Sequence, residues 1–199
     1  MIASKVEIKA LLEMTTTTKD DLIDRLIPII EDDIRQYCNN AFNNPNVYMQ
    51  SGDISFTHNS TSADTIAFDG SGDGFADSQF KAGQTIQVQG SYNNDGFFEI
   101  ESLTSVLLTL YSTTSRPHFE TLVTEDESVL IRLASVKYPQ ALKNIVSQMV
   151  NYKLTTYDYS VSGETVSRYS VTYNNSNIKN GYPSALMVGL NRWKNPVFV

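Results

Sequence analysis

The sequence is poor in the residues that build covalent links or mark a chain for export. Cys38 is the only cysteine among 199 residues, so the chain has no second thiol for an internal disulfide. No apolar run approaches the ~20 residues of a membrane span, and the opening residues lack the apolar stretch of a signal peptide. We therefore expect a protein made in the cytoplasm and not addressed to a membrane.

Cationic side chains are also scarce. The chain has 15 Lys and Arg against 22 Asp and Glu, a net charge of -7 and a pI near 4.8. Tight binding of nucleic acid depends mainly on clustered Lys and Arg, so the charge argues against a protein that holds DNA or RNA firmly.

Residues for catalysis are few. The two histidines, His58 and His118, have no neighbouring nucleophile motif, and no phosphate-binding glycine loop or HExxH zinc motif is present. Acid-base, nucleophilic and metal-assisted hydrolysis all need several such groups together. We expect no enzymatic activity, no catalytic residues and no cofactor.

One acidic loop has part of a calcium-binding pattern. Residues 69–74, DGSGDG, match the first six positions of an EF-hand-like loop, but position twelve is Phe80 where a bidentate Glu is needed. The interpretation is a turn, with no metal ion. The acidic triplets at 31–33 and 125–127 are consecutive residues that point in different directions, and we predict solvated charge for both.

Helical periodicity appears on both sides of the middle of the chain. From Thr18 to about Phe42 apolar residues recur three and four apart, and a second such stripe begins at Pro139. We expect the two stripes to pack against each other, with a kink or break at Pro28. Shorter helices are predicted from Ser4 to Met14 and from Pro183. The positions expected to face inward are Val6, Leu11, Leu12, Leu22, Leu26, Ile29, Ile30, Ile34, Tyr37, Cys38, Ala41 and Phe42 in the first part and Leu142, Ile145, Val146, Met149, Val150, Leu154, Leu186, Leu190 and Trp193 in the second.

Between Pro45 and about Val136 the pattern changes to short alternating runs. Six strands are predicted, VYMQSGDISFT, DTIAF, TIQVQGS, FFEIESL, VLLTLYS and SVLIRLAS. The NDG at 94–96 has the residue types of a hairpin turn between the third and fourth. About six antiparallel strands predict a small barrel or sandwich.

These patterns predict an α+β protein with a discontinuous organisation. Residues 1–45 and 137–199 form a helical domain, and residues 46–136 form an inserted all-β domain. The stretch from Thr155 to Tyr182 fits neither period well. Tyr169, Val171 and Tyr173 alternate within it, which is typical of an extended arm that contacts another chain.

The flanking segments resemble the head-tail connector (adaptor) family of tailed phages. KDDLIDRLIPIIEDDIRQYCN resembles the family's first long helix, YPQALKNIVSQMVNYKL the helix packed on it, and SGETVSRYSVTY with GYPSALMVGLNRWK the polar arm and closing helix. FADSQFKAGQTIQVQGSYNNDGFFEIESL is similar to a small β module of phage structural proteins.

The resemblance implies a small α-helical connector domain of three to four helices. The inserted β barrel or sandwich is a departure, since compact members of the family join the two long helices by a short connection. It implies a structural protein of the virion neck, in which about a dozen copies close a ring beneath the portal. Such a ring extends the DNA channel, lets double-stranded DNA pass without specific binding, and provides the attachment surface for a downstream tail or stopper protein. The expected docking residues are Tyr169, Tyr173, Tyr182, Arg192, Trp193, Pro196 and Phe198.

A second interpretation is a binding module. The β domain would recognise a glycan or another virion protein, as in a tail or capsid decoration protein, with the helices as its mount. Tyr92, Phe97 and Tyr111 are the aromatic residues that would contact the ligand, although strand aromatics more often pack in a core.

Overall fold

The chain folds as two compact units, which we describe separately. The computed structural model describes residues 1–72, 74–112, 121–127, 129–155, 163–166, 169–172 and 178–196. The β unit comprises Met1 and Ala41–Tyr138, and the helical unit comprises Ile2–Asn40 and Pro139–Val199. Within the described part of the chain, no helix has both the length and the apolarity needed to cross a membrane.

The helical unit contains four described helices and two small hairpins. The helices are α1 (Lys5–Leu11), α2 (Asp20–Cys38), α3 (Leu142–Thr155) and α4 (Ser184–Leu190). The hairpins pair β9 (Gly163–Val166) with β10 (Tyr169–Thr172), and β11 (Ile178–Lys179) with β12 (Tyr182–Pro183).

The two long helices, α2 and α3, pack against each other as the sequence predicted. The buried residues of both helices are apolar apart from Glu31 and Ser147; they comprise Ile23, Ile27, Ile30, Ile34 and Cys38 on α2, and Leu142, Val146, Met149 and Val150 on α3. Burial of each large aliphatic side chain stabilises the unit by roughly 1.5–3 kcal/mol. Of the kink or break predicted at Pro28, the break is wrong, because α2 continues through it as one helix.

The inward face of the first two helices differs in part from the prediction. Val6, Leu11, Leu22 and Ile29 are exposed by 75, 47, 45 and 55%, while their neighbours Ile8, Ile23 and Ile30 are fully buried. Apolar residues stand in adjacent pairs along the first three turns of α2, so the periodicity alone does not fix which member of a pair faces the core. Ile30, Ile34 and Cys38 were predicted to face inward and are buried, whereas the first two turns bury Ile23 and Ile27 in place of Leu22.

The β unit is built on one open sheet. Its strands are β1 (Asn43–Ser51), β2 (Ile54–Thr57), β3 (Thr65–Phe68), β4 (Thr85–Gln89), β5 (Gly96–Leu103), β6 (Leu107–Leu110), β7 (Glu125–Glu127) and β8 (Ile131–Val136). All eight are joined in the order β1-β8-β4-β5-β6-β3-β2-β7, and each pairing is antiparallel.

The predicted fold, a three- to four-helix connector domain with an inserted barrel or sandwich, is therefore wrong. The main element is an eight-stranded antiparallel sheet in which β1 and β7 are the two end strands, so the sheet does not close into a barrel. Both ends resist further pairing, since Pro45 has no backbone N-H to give and β7 consists of three acidic residues. Of the four described helices, α1 and α4 have only seven residues each and do not make up the expected connector domain.

The sheet of the β unit buries an apolar core. Ile54, Phe56 and Ile66 lie in this core with Phe75 from a 3-10 turn at Gly74–Ala76. The predicted pairing of the third and fourth strands is confirmed, since β4 pairs with β5. Their connection is longer than a two-residue hairpin turn, since it spans residues 90–95.

Candidate interaction surface at the end of helix α2

The last turn of α2 is capped by residues that follow α4. Asn39 ends the helix in the left-handed conformation, with φ 46°. The backbone N-H of Asn195 donates to the Cys38 carbonyl (2.9 Å), and its side chain donates to the Asn39 carbonyl (3.1 Å). Asn40 donates in turn to the Trp193 carbonyl (3.0 Å). The segment from Asn191 to Asn195 is therefore held where α2 would otherwise leave carbonyl groups unsatisfied.

Three cationic side chains lie on aromatic rings at this place. Lys194 Nζ lies 3.7 Å and Lys179 Nζ 5.3 Å from the centre of the Tyr37 ring, and the Arg192 guanidinium carbon lies 3.8 Å from the centre of the Trp193 ring. Tyr37 is fixed in turn by its hydroxyl, which donates to Asn191 Oδ1 (3.0 Å). We call Lys179, Arg192 and Lys194 with Tyr37 and Trp193 the cationic cluster.

The electrostatics of the helix favour positive charge here. The carboxyl end of a helix carries a partial negative charge, which stabilises nearby cations by about 0.3–1 kcal/mol each at the surface. Lys179, Arg192 and Lys194 are exposed, and none of them forms an ion pair with a described residue. They therefore keep their charge available to another molecule.

Cys38 lies under this surface and is inert. Its thiol is fully buried, 3.7 Å from the Leu190 carbonyl. Burial raises the pKa of Cys38, and the charge of Lys194 offsets this only in part. A thiol that stays protonated is a poor nucleophile, so Cys38 acts as a small apolar residue of the core.

The predicted docking residues are only partly brought together. Arg192 and Trp193 lie side by side in the cationic cluster, and exposed Pro196 follows them. Tyr169 is on β10, of which the structure describes the backbone pairing. Tyr173 and Phe198 lie outside the described residues.

Tyr182 is not a surface residue, which corrects its assignment to the docking set. It is fully buried in the helical unit, and its hydroxyl donates to Asp33 Oδ2 (2.7 Å). Its ring packs 6.3 Å from that of Tyr152, with Lys153 Nζ 4.6 Å from its centre. The tyrosine anchors β12 to α2.

Sequence reasoning missed Tyr37, Lys179 and Lys194. Tyr37 was placed in the apolar stripe of α2, and the two lysines had no pattern of their own. The ring and its cations are separated by more than 140 positions along the chain. The available signal was local: three of the last 21 residues are cationic in a chain with an acidic excess.

The β unit contains a polar cavity of about 450 Å³. Asp64 organises one wall: it accepts from the backbone N-H groups of Asn59 and Leu122 (both 2.8 Å) and contacts His58 Nδ1 at 2.9 Å. The other lining groups include the Glu101 carboxylate and several Ser and Thr hydroxyls. Such a surface suits a neutral ligand with many hydroxyl groups.

The acidic loop forms no complete cation site among the described residues. Asp69 Oδ2 accepts from the Ser55 hydroxyl (2.7 Å), while Asp73 and His118 are outside the described residues. Within the described part, no group of three or more His, Cys, Asp or Glu side chains has a geometry that could hold a metal ion.

The chain was compared with protein-family models, curated proteins and solved structures, and none of the three comparisons gave a match.

Proposed function

We propose that this chain is a structural virion protein, a head-tail connector that assembles as a homo-oligomeric ring of about a dozen copies beneath the portal of a tailed phage. In this role the ring extends the DNA channel and provides the surface to which a downstream tail or stopper protein attaches.

The packing of α2 on α3 is the observation that carries the proposal. These are the two segments whose sequences resemble the family's paired helices, and the whole β unit separates them along the chain. If α2 and α3 made no contact, the resemblance to the family's paired helices would have no structural support. The departure from the expected connector domain lies in the sheet and in the two short helices, not in this pair.

The cationic cluster gives the proposal a surface suited to assembly. It combines exposed charge with aromatic area, and Arg, Trp and Tyr are the residues enriched at the centres of protein interfaces. The cluster lies beside the end of the closing helix α4. Two of its residues, Arg192 and Trp193, are among the docking residues that the resemblance implied.

Native mass spectrometry of the protein alone and mixed with the portal protein of the same phage tests the proposal. The expected result is a portal ring carrying about a dozen copies of this chain. A chain that neither binds the portal nor forms rings contradicts it. A variant ending at Lys194 lacks the Asn195 bonds to α2 and the exposed Pro196; if this variant binds the portal at full strength, the last residues have no docking role.

A binding module remains the second candidate function, because of the cavity at His58 and Asp64. Tyr92, 78% exposed on the turn between β4 and β5, offers a ring to a ligand. A glycan array probed with the full chain tests this candidate, and loss of a signal in Glu101→Gln would place the ligand in the cavity.

A further inference from the structure

Charge is divided unequally between the two units. The β unit contains twelve carboxylates and four Lys or Arg, a formal net charge of minus eight, whereas the helical unit contains ten carboxylates and eleven Lys or Arg, a formal net charge of plus one. The net charge of the whole chain, -7, therefore comes from the excess of carboxylates in the β unit. A cationic surface on one unit has its complement in the same polypeptide.

Part of that negative charge is concentrated on the solvent side of β2 and its neighbours. Ser55 is directly opposite Asp126 of β7, and its hydroxyl donates to Asp69 Oδ2 (2.7 Å). The Asp69 N-H donates to the Asp53 carbonyl (2.9 Å), which keeps these two residues adjacent. We call Asp53, Asp69 and Asp126 the acidic face.

The acidic face points away from the core. Ile54 and Phe56, on either side of Ser55 in β2, are buried to within 1% exposure, and side chains alternate between the two faces of a strand. All three carboxylates are exposed, and none forms an ion pair with a described residue. Three like charges at one place repel one another, and opposite charge from a partner relieves that repulsion.

We propose that the cationic cluster of one copy docks on the acidic face of the next copy, as a head-to-tail contact between the subunits of a homo-oligomer. Three cations meet three carboxylates, while the rings of Tyr37 and Trp193 supply the apolar contact area. Because the two surfaces differ, each subunit donates one and accepts with the other, as ring closure requires.

This inference rests on the proposed function only in requiring several copies in one assembly. Double-stranded DNA is the competing occupant of the cationic cluster. The acidic average of the chain opposes it, since three cations give a weak hold on phosphates in a chain of net charge -7. A second copy offers opposite charge both to the cationic cluster and to the acidic face, whereas DNA offers opposite charge only to the cationic cluster.

Two neutralised variants of the full chain test the contact. In the first, Lys179→Gln, Arg192→Gln and Lys194→Gln remove the cations; in the second, Asp53→Asn, Asp69→Asn and Asp126→Asn remove the carboxylates and keep an acceptor for Ser55. Arg25→Gln, an exposed cation on α2 outside the cluster, is the matched control. Thermal unfolding by circular dichroism checks that all variants stay folded.

Sedimentation velocity at low and high salt gives the readout. The wild-type protein should self-associate at low salt and dissociate at high salt, because exposed charge pairs are screened. Each neutralised variant should associate about tenfold more weakly or worse, and the control should match the wild type. A mixture of the two variants should form pairs and nothing larger, since only one complementary contact remains between them.

Three results would overturn the inference: a wild-type chain that stays monomeric at low salt, variants that associate as well as the wild type, or binding of a DNA duplex that competes with self-association. Variants that still form rings would remove this contact and leave the connector proposal standing. Failure of the wild type to bind the portal would remove the connector proposal and leave the contact standing.

Discussion

Substitution of Asn94 should destabilise the β unit more than its position in a polar turn suggests. Asn94 is 2% exposed and acts as a bridge between the turn and the segment before β7. Its side-chain oxygen accepts from the Val123 N-H (2.7 Å), and its side-chain N-H groups donate to the Val123 carbonyl (3.0 Å) and to Glu125 Oε1. Asn94→Ala removes all three bonds.

The magnitude follows from these bonds. Each contributes about 0.5–1.5 kcal/mol net, so Asn94→Ala should lower the free energy of unfolding by about 2–4 kcal/mol. The Asn94 backbone is not in the left-handed region, so the alanine introduces no compensating relief of strain. With a urea dependence of about 1–2 kcal/mol per molar for a unit of this size, the midpoint should fall by about 1–4 M.

The neighbouring residue supplies the control. Asn93 is exposed and also bonds Glu125, through its backbone N-H (3.3 Å) and its side chain (2.8 Å). Because water replaces exposed bonds, Asn93→Ala should cost less than about 1 kcal/mol. Urea unfolding followed by far-UV circular dichroism measures both variants. Equal losses for the two substitutions would refute the argument that burial makes Asn94 the structural link.

Three further outcomes are expected. Ile30→Ala should cost about 2–5 kcal/mol, and Ile29→Ala, its exposed neighbour on α2, under about 1 kcal/mol; denaturation that ranks them equally would contradict the assigned face of the helix. Tyr182→Phe, which removes only the bond to Asp33, should cost about 1–2 kcal/mol in unfolding followed by Trp193 fluorescence, and no loss would mean that water replaces the bond. Lys143 and Ser4 lower the pKa of Glu7 from its ordinary 4.5, so the ion pair stabilises the helical unit above that pH and is lost as pH falls through the lowered pKa. Lys143→Gln should flatten the pH dependence of stability below about pH 4.5, and an unchanged slope would mean that Glu7 does not contribute.

The elements that could be predicted from sequence are those whose signal is local and repeated. The two long helices have stripes of several turns, and the strands β2 to β6 contain apolar residues in alternation. The face of α2 was predicted only in part. Ile30, Ile34 and Cys38 are buried as expected, but Leu22 and Ile29 are exposed, since each has an apolar neighbour that fits the same spacing and only the packing chooses between them.

The strand β7 could not be predicted because its own sequence has no strand pattern. Its sequence Glu125-Asp126-Glu127 has no apolar residue, and consecutive acids are usually solvated charge. It is a strand because β2 offers backbone groups for pairing and because Asn94 holds the preceding segment in place. Both causes depend on residues more than 25 positions away, so no window of local sequence contains them.

The division of charge changes what the acidic composition means for a DNA channel. From sequence alone, a net charge of -7 indicates a surface that is indifferent to phosphates everywhere. With minus eight on the β unit and plus one on the helical unit, the acidic excess lies in the β unit, whereas the helical unit presents the cationic cluster. The proposed connector ring, in which DNA slides freely, must therefore keep the cationic cluster out of its lumen. The proposed docking of the cluster on the acidic face of the next subunit meets that requirement, because the same contact covers the cations.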